Sequence, residues 1–97
     1  MKTQKVLADH LNKVAKYYDV PIYEIKGKSR KPEHKTPRQV FLASARAKFG
    51  FSFPAIGLAV MKTDSSAQWA VGVINDCGFC KDKKSRDIYA AFERFAK

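Results

Sequence analysis

The sequence predicts an all-α protein: one compact domain of five to six helices over residues 1–97. Apolar residues recur at spacings of three and four along most of the chain, as they do on the buried face of an amphipathic helix. No segment alternates apolar and polar residues over the length of a strand. Residues that favour helix ends stand between the periodic segments. A chain of 97 residues suits a single core.

The first two helices are a long one and a short one. Residues 4–18 carry their apolar side chains at helical spacing, with lysine, asparagine and aspartate between them. A short helical turn is predicted where Pro21 opens the sequence PIYEIK, with Asp19 as its cap. Ile22 and Ile25 are expected to face the core.

A central helix is predicted to begin at Pro37 and to end at about residue 48 or 49. Thr36 is a suitable cap, Pro37 suits the first helical position, and Gln39 stands where a capping-box partner belongs. Gly50 follows the last periodic residue, as glycine commonly does after a helix. Small residues along this helix indicate close packing against neighbouring helices.

The following two helices are joined by a tight turn. Ser52 is predicted to cap a short helix over residues 53–59, and Thr63 or Asp64 is predicted to cap a helix that runs to about residue 75. This order is typical of a helix-turn-helix unit. A charged linker then leads to a last helix over about residues 85–96.

The chain is strongly basic, with 19 lysines and arginines, nine acidic residues and a net charge of +10. Such an excess indicates a polyanionic partner, with nucleic acid the first candidate and an anionic membrane surface the second. Five of the basic residues fall within residues 27–39, GKSRKPEHKTPRQ, which we call the basic segment. Neither an apolar run long enough to cross a membrane nor a strongly amphipathic basic helix is evident, so nucleic acid is favoured.

The second helix of a helix-turn-helix unit enters the major groove with its N-terminal residues facing the base edges. In this chain the corresponding stretch covers residues 63–68, TDSSAQ. Its hydroxyl groups suit bases or phosphates, Ala67 suits a thymine methyl group, and Gln68 suits adenine. We therefore expect this stretch to contact duplex DNA.

Residues 17–75, approximately, resemble the carboxy-terminal DNA-binding domain of the bacterial replication initiator DnaA, a helical domain of the Trp-repressor group. The similar stretches are YYDVPIYEIKGKSRK, TPRQVFLASA, SFPAIGLAV and TDSSA. In that family a Pro-Arg-Gln opens the central helix, a Ser-Leu-Pro-x-Ile-Gly begins the helix-turn-helix, and an Arg-Asp-His-Ser/Thr-Thr-Val opens the recognition helix. Residues 81–97 would add a C-terminal helix.

The resemblance implies roles for individual residues. Arg38 and Gln39 correspond to the family's DNA-contacting pair, and Arg46 to a phosphate contact two turns later. The basic segment corresponds to a loop whose arginine enters the minor groove in that family. Residues 64–66 correspond to the segment that reads the major groove. With the residues proposed from composition, the predicted DNA-binding set is Lys28, Arg30, Lys31, Lys35, Arg38, Gln39, Arg46, Lys62, Thr63, Asp64, Ser65, Ser66, Ala67 and Gln68.

The chain departs from the family pattern at several of these positions. Thr63 stands where the family has its signature arginine, Ser65 where it has histidine, and Pro32 where it has a loop arginine. Further changes fall at Gln68 and at residues 70–71. Recognition of the family's usual DNA box is therefore not implied.

Several residues have more than one interpretation. Gln39 suits either the capping box or DNA, and Trp69 suits the core better than a base-stacking surface. Cys77 and Cys80 form a single CxxC pair that suits zinc or thiol redox chemistry, but without a second ligand pair we expect them to be structural. No catalytic constellation is visible, so we predict no enzyme, no cofactor and no metal site.

We expect a sequence-specific reader of double-stranded DNA that controls transcription in a bacterium, a prophage or a phage-derived element. One alternative is an accessory protein or competitor of the initiator at replication origins; another is a non-specific basic protein that coats nucleic acid or recruits an enzyme. The sequence lacks the GxxxxGK[ST] loop of an ATPase, which predicts a free-standing domain or a piece of a larger protein. We expect a nucleoid-associated cytoplasmic protein, with the terminal helices (including Phe92 and Phe95) as surfaces for a protein partner or self-association.

Overall fold

The computed structural model describes residues 2–27 and 32–97. Within that part of the chain there are six helices and no strand. They are α1 (Lys2–Tyr18), α2 (Ile22–Lys26), α3 (Pro32–Phe49), α4 (Phe53–Ala59), α5 (Asp64–Cys77) and α6 (Lys83–Ala96). The predicted all-helical fold is confirmed.

Helix α3 lies at the centre of the molecule and contacts all five other helices. Its residues 40–45, VFLASA, are all buried, so this part of the helix has no solvent-facing side. Alanine and serine in this stretch leave room for neighbouring helices to approach closely. The prediction of a central helix with close neighbours is therefore confirmed.

The start of α3 differs from the prediction. The helix begins at Pro32, and Thr36 and Pro37 lie inside it. Pro32 takes the first helical position, where a backbone N–H would have no hydrogen-bond partner within the helix. Pro37 removes the hydrogen bond to the carbonyl of Glu33, but its ring is fully buried and contributes apolar contact. The predicted cap at Thr36 is wrong, and Gln39 is consequently not a capping-box partner.

Two helix ends rely on a residue in the left-handed backbone region. Asp19 has φ of 55°, and the next amide, that of Val20, donates to the carbonyl of Ala15 at 3.0 Å. Asp19 therefore terminates α1 and does not cap α2, whose N-cap is Pro21 with no side-chain hydrogen bond. Gly50, with φ of 70°, ends α3 as predicted by donating to the carbonyl of Arg46 at 3.0 Å.

The turn between α4 and α5 is tight because of Gly57. A Cβ atom at this position would lie 2.8 Å from the carbonyl oxygen of Thr63 and 2.9 Å from that of Lys62. The amide of Lys62 in turn donates to the carbonyl of Gly57 at 2.8 Å. Any larger residue would force the turn open, so Gly57 sets the angle at which α5 leaves α4.

The predicted caps of this unit are also present. The Ser52 hydroxyl accepts from the amide of Ala55 at 3.4 Å, and the Thr63 hydroxyl accepts from the amide of Ser66 at 3.2 Å. The predicted helix-turn-helix over residues 52–75 is therefore formed by α4 and α5, with α5 reaching Cys77.

Helix α6 begins two residues earlier than predicted. Asp82 caps it by accepting from the amide of Ser85 at 2.9 Å. Phe95 is buried and Phe92 is half-buried against the core. Both rings therefore pack toward the core, and a partner surface or self-association through the terminal helices stays a prediction.

His10 occupies the core between α1, α3 and α6. Its Nε2 lies 2.7 Å from the Ser44 hydroxyl, which itself donates to the carbonyl of Phe41 at 3.2 Å. The Ser44 hydroxyl thus links the imidazole to the backbone of α3. Three phenylalanine rings surround the imidazole at centroid distances of 5.3–6.0 Å: Phe41, Phe49 and Phe95.

This environment predicts a loss of stability in mild acid. Burial, with smaller contributions from Lys48 and Lys13, lowers the pKa of His10 from 6.5 to about 4. The unfolded chain therefore takes up this proton first as the pH falls. The stabilising effect of the neutral imidazole is complete above the unfolded pKa and decreases below it, by about 1–2 kcal/mol between about pH 7 and pH 5. Urea unfolding of the native chain and of His10→Gln at both pH values measures this difference, and equal pH dependence in the two proteins would contradict it.

Candidate nucleic-acid interface

The predicted DNA-binding residues divide into those that the structure describes and those that it does not. Lys28, Arg30 and Lys31 lie outside the described residues. Lys35, predicted within a loop, lies on the exposed surface of α3. Gln39 is half-buried one turn later on the same helix.

Two predicted DNA contacts converge on the carbonyl oxygen of Gly27. A terminal nitrogen of Arg38 (Nη2) donates to it at 3.0 Å, and the Nζ atom of Lys62 donates to it at 3.2 Å. Arg38 also donates from Nε to the carbonyl of Ile25 at 2.6 Å. We call this arrangement the Gly27 junction. It joins the end of α2, the early part of α3 and the turn of the helix-turn-helix.

The Gly27 junction forms because α2 ends with carbonyl groups that have no helical partner. Such groups need donors from elsewhere, and the planar guanidinium of Arg38 serves two of them at once. Arg38 is half-buried, and burial lowers the pKa of its guanidinium. Gly27 is the first residue of the basic segment, so this segment begins at a carbonyl group that two cationic side chains bind.

Arg46 has a comparable structural role at the other end of α3. Its Nη1 atom donates to the carbonyl of Phe51 at 2.7 Å, and the guanidinium carbon lies 4.5 Å from the centre of the Phe53 ring. These contacts hold the connection from α3 to α4. Arg46 was predicted to contact a phosphate. In the structure it holds the start of the helix-turn-helix in place.

The first turn of α5 presents short polar side chains to solvent. Thr63 and Ser66 are exposed, and their hydroxyl groups lie 3.3 Å apart in the cap of the helix. Asp64, Ser65 and Gln68 are exposed without a role in that cap. The N-terminus of α5 is therefore accessible to a large anionic partner.

Ala67 does not belong to this exposed surface. It is fully buried, together with Ala70 and Ile74 at spacings of three and four residues. A side chain on this stripe packs against the core, so its methyl group is not available to a thymine. The prediction of a DNA contact at Ala67 is wrong.

Trp69 is an exposed residue of α5 that was not among the predicted DNA contacts. Its side chain is 68% exposed, and the prediction that it belongs to the core is wrong. It lies about 200° around α5 from Ala67 and one turn after Ser65, on the same outward face. The spacing of Ala67, Ala70 and Ile74 in the sequence already indicated this orientation.

The CxxC pair does not form a recognisable metal site. Cys77 is half-buried and Cys80 is exposed, and both are free thiols. No group of three metal-ligating side chains occurs among the described residues. The thiol of Cys80 donates to the carbonyl of Asp76 at 3.4 Å, which places it at the end of α5.

The comparisons with known proteins agree with this geometry. The family model described as the bacterial dnaA protein helix-turn-helix matches residues 9–71. No curated protein matches the chain significantly. Within residues 2–27 and 32–97, none of the helices is both long and apolar enough to span a membrane.

Removal of Arg38 tests the Gly27 junction without DNA. Arg38→Ala removes the donor to the Ile25 carbonyl and one of the two donors to the Gly27 carbonyl, so we expect the free energy of unfolding to fall by about 1–3 kcal/mol. Lys35→Ala, which removes an exposed charge from the same helix, is the matched control and should change stability by less than about 0.5 kcal/mol. Urea unfolding measures both values. Equal stability of the two variants would contradict the role given to Arg38.

Proposed function

Because the matched residues cover well over half of the sequence, the chain belongs to the bacterial DnaA helix-turn-helix family, and we propose that it is a sequence-specific reader of double-stranded DNA. The family is one of DNA-binding domains, not of catalytic ones. The observation that carries the proposal is the exposed, polar first turn of α5, presented by a turn whose geometry Gly57 fixes.

In this proposal α5 enters the major groove. The short side chains of Ser65 and Ser66 allow the helix N-terminus to approach the duplex, where backbone amides and the helix dipole favour phosphate oxygens. Gln68 is long enough to reach a base edge, and the amide of glutamine pairs well with adenine. Asp64 suits an amino group on cytosine.

The basic segment supplies contacts to the DNA backbone. Lys28, Arg30 and Lys31 follow Gly27 directly in the sequence, so the Gly27 junction supports their assignment by anchoring the point from which they start. Lys35 adds a further exposed charge on α3. Phosphate contacts of this kind fix the orientation of a protein on duplex DNA, while the base contacts select the sequence.

The biological role follows from what such a domain does once bound. We propose transcriptional control, because a DNA-binding domain acts by occupying a site or by recruiting a partner to it. Membership in a family of replication-initiator domains also favours a second role, as an accessory or competitor at replication origins. The two roles differ in which sites are bound.

Selection from random duplexes tests the proposal and separates the two roles. We expect repeated rounds to enrich one motif. A motif found at promoters supports transcriptional control, and one that matches initiator boxes supports a role in replication. Recovery of random sequence after all rounds would contradict sequence-specific binding and leave a non-specific coating protein as the explanation.

Trp69 provides an optical test, since it is the only tryptophan in the chain. If α5 enters the groove with its outward face, the indole comes close to the bases and its fluorescence should change when the enriched duplex is added. Trp69→Ala should weaken binding by about 1–2 kcal/mol through lost apolar contact. Phe79→Ala, an exposed aromatic residue beyond the other end of α5, is the control and should bind normally. Unchanged fluorescence at saturation would show that α5 does not face the DNA in this way.

A further inference from the structure

A second cationic site lies away from the Gly27 junction. It is a cavity of about 420 Å³ between α1, the end of α3 and the end of α6. Four basic side chains line it together with the imidazole of His10 and two further aromatic rings: Lys13, Lys16, Lys48, Arg94, His10, Tyr17 and Phe95. The family model accounts for none of the α6 residues, because its match ends at residue 71.

The charge in this cavity is not balanced by the residues that line it. No aspartate or glutamate is among them. Lys13, Lys16, Lys48 and Arg94 are all exposed, so solvent reaches these four side chains. Repulsion between cations on three different helices disfavours the folded state, and an anion bound between them would remove that repulsion.

Two of the cations at the cavity contact aromatic rings. The guanidinium carbon of Arg94 lies 5.3 Å from the centre of the Tyr17 ring, and the Nζ atom of Lys48 lies 5.5 Å from that of Phe49. These cation–π contacts orient two of the cations. A phosphate group is small relative to the volume and has enough oxygens to accept from several donors at once.

Its position separates this cavity from the candidate DNA interface. Lys48 lies ten residues after Arg38 on α3, which corresponds to about 15 Å along the helix. The Gly27 junction is thus near one end of the central helix and the cavity near the other. The cavity is therefore a second point, at the other end of α3, at which phosphate groups can be bound.

We propose that this cavity binds the phosphate backbone of a second DNA duplex, so that one protein molecule bridges two DNA segments. The proposal rests on the proposed function for the first duplex. DNA is the chosen occupant because a protein already held on DNA is surrounded by a high local concentration of phosphates. The net charge of +10 also exceeds what the basic segment alone supplies.

A two-duplex capture assay tests the proposal. A biotinylated duplex carrying the selected motif is fixed to beads, the protein is added, and retention of a fluorescent random duplex is measured. The native chain should retain the second duplex. The triple variant Lys13→Gln, Lys16→Gln, Lys48→Gln should lower that retention at least about tenfold, since three phosphate contacts are lost. The amount of this variant that the first duplex captures, relative to the native chain, should fall no further than it does for the control variant described below.

The control is the triple variant Lys5→Gln, Lys83→Gln, Lys97→Gln, which loses the same charge at exposed positions that do not line the cavity. It should retain the second duplex. All substituted side chains are exposed, and circular dichroism confirms folding of both variants.

The other outcomes of the assay distinguish failure of bridging, failure of the cavity's role and failure of the proposed function. Capture of the first duplex without the second by the native chain would overturn bridging while leaving the proposed function intact. Equal retention by both triple variants would assign bridging to another surface and overturn the role of the cavity. An equal loss of first and second duplex in the cavity variant would make the cavity part of the primary interface. Failure of the native chain to capture the first duplex would refute the proposed function and bridging together.

Discussion

The geometry of the candidate interface depends on one carbonyl group. Gly27 accepts hydrogen bonds from Arg38 on α3 and from Lys62 in the turn before α5. These bonds connect the last residue before the undescribed part of the basic segment to α3 and to the turn before α5. A short helix such as α2 has little stability of its own, so its end is held by donors from its neighbours. The junction therefore ties the end of α2 to α3 and to the turn of the helix-turn-helix.

The same cations therefore stabilise the fold and shape the interface. Arg38 and Arg46 were predicted to contact DNA because they correspond to DNA-contacting positions of the family, and Lys62 was added as a basic residue. In the structure each of them donates to a backbone carbonyl at a chain connection: Gly27 for two of them and Phe51 for the third. Lys35, by contrast, is exposed on the surface of α3.

Much of the fold was predictable because local signals and packing agree. Ser52, Thr63 and Gly50 stand at helix ends where their side-chain or backbone chemistry is needed, and the structure uses all three. The start of α3 was not predictable, because Pro32 and Pro37 both suit a first helical position and only burial of the Pro37 ring separates them. Ala67 and Trp69 were misassigned for a different reason. Ala67 was grouped with the first residues of a recognition helix and Trp69 was assigned to the core as a large apolar residue, and neither assignment used the helical spacing of Ala67, Ala70 and Ile74. The bonds to Gly27 link residues 11 and 35 positions apart, which no local pattern indicates.

We propose that the Gly27 junction and the first turn of α5 form one DNA-binding surface. A titration of the isotope-labelled protein with the selected duplex, followed through the backbone amide resonances, tests this. We expect the resonances of Gly27, Arg38 and Gln39 to shift together with those of residues 62–69, at the same duplex concentration and to the same saturation. Shifts confined to other parts of the chain, or saturation of the two groups at different concentrations, would contradict it.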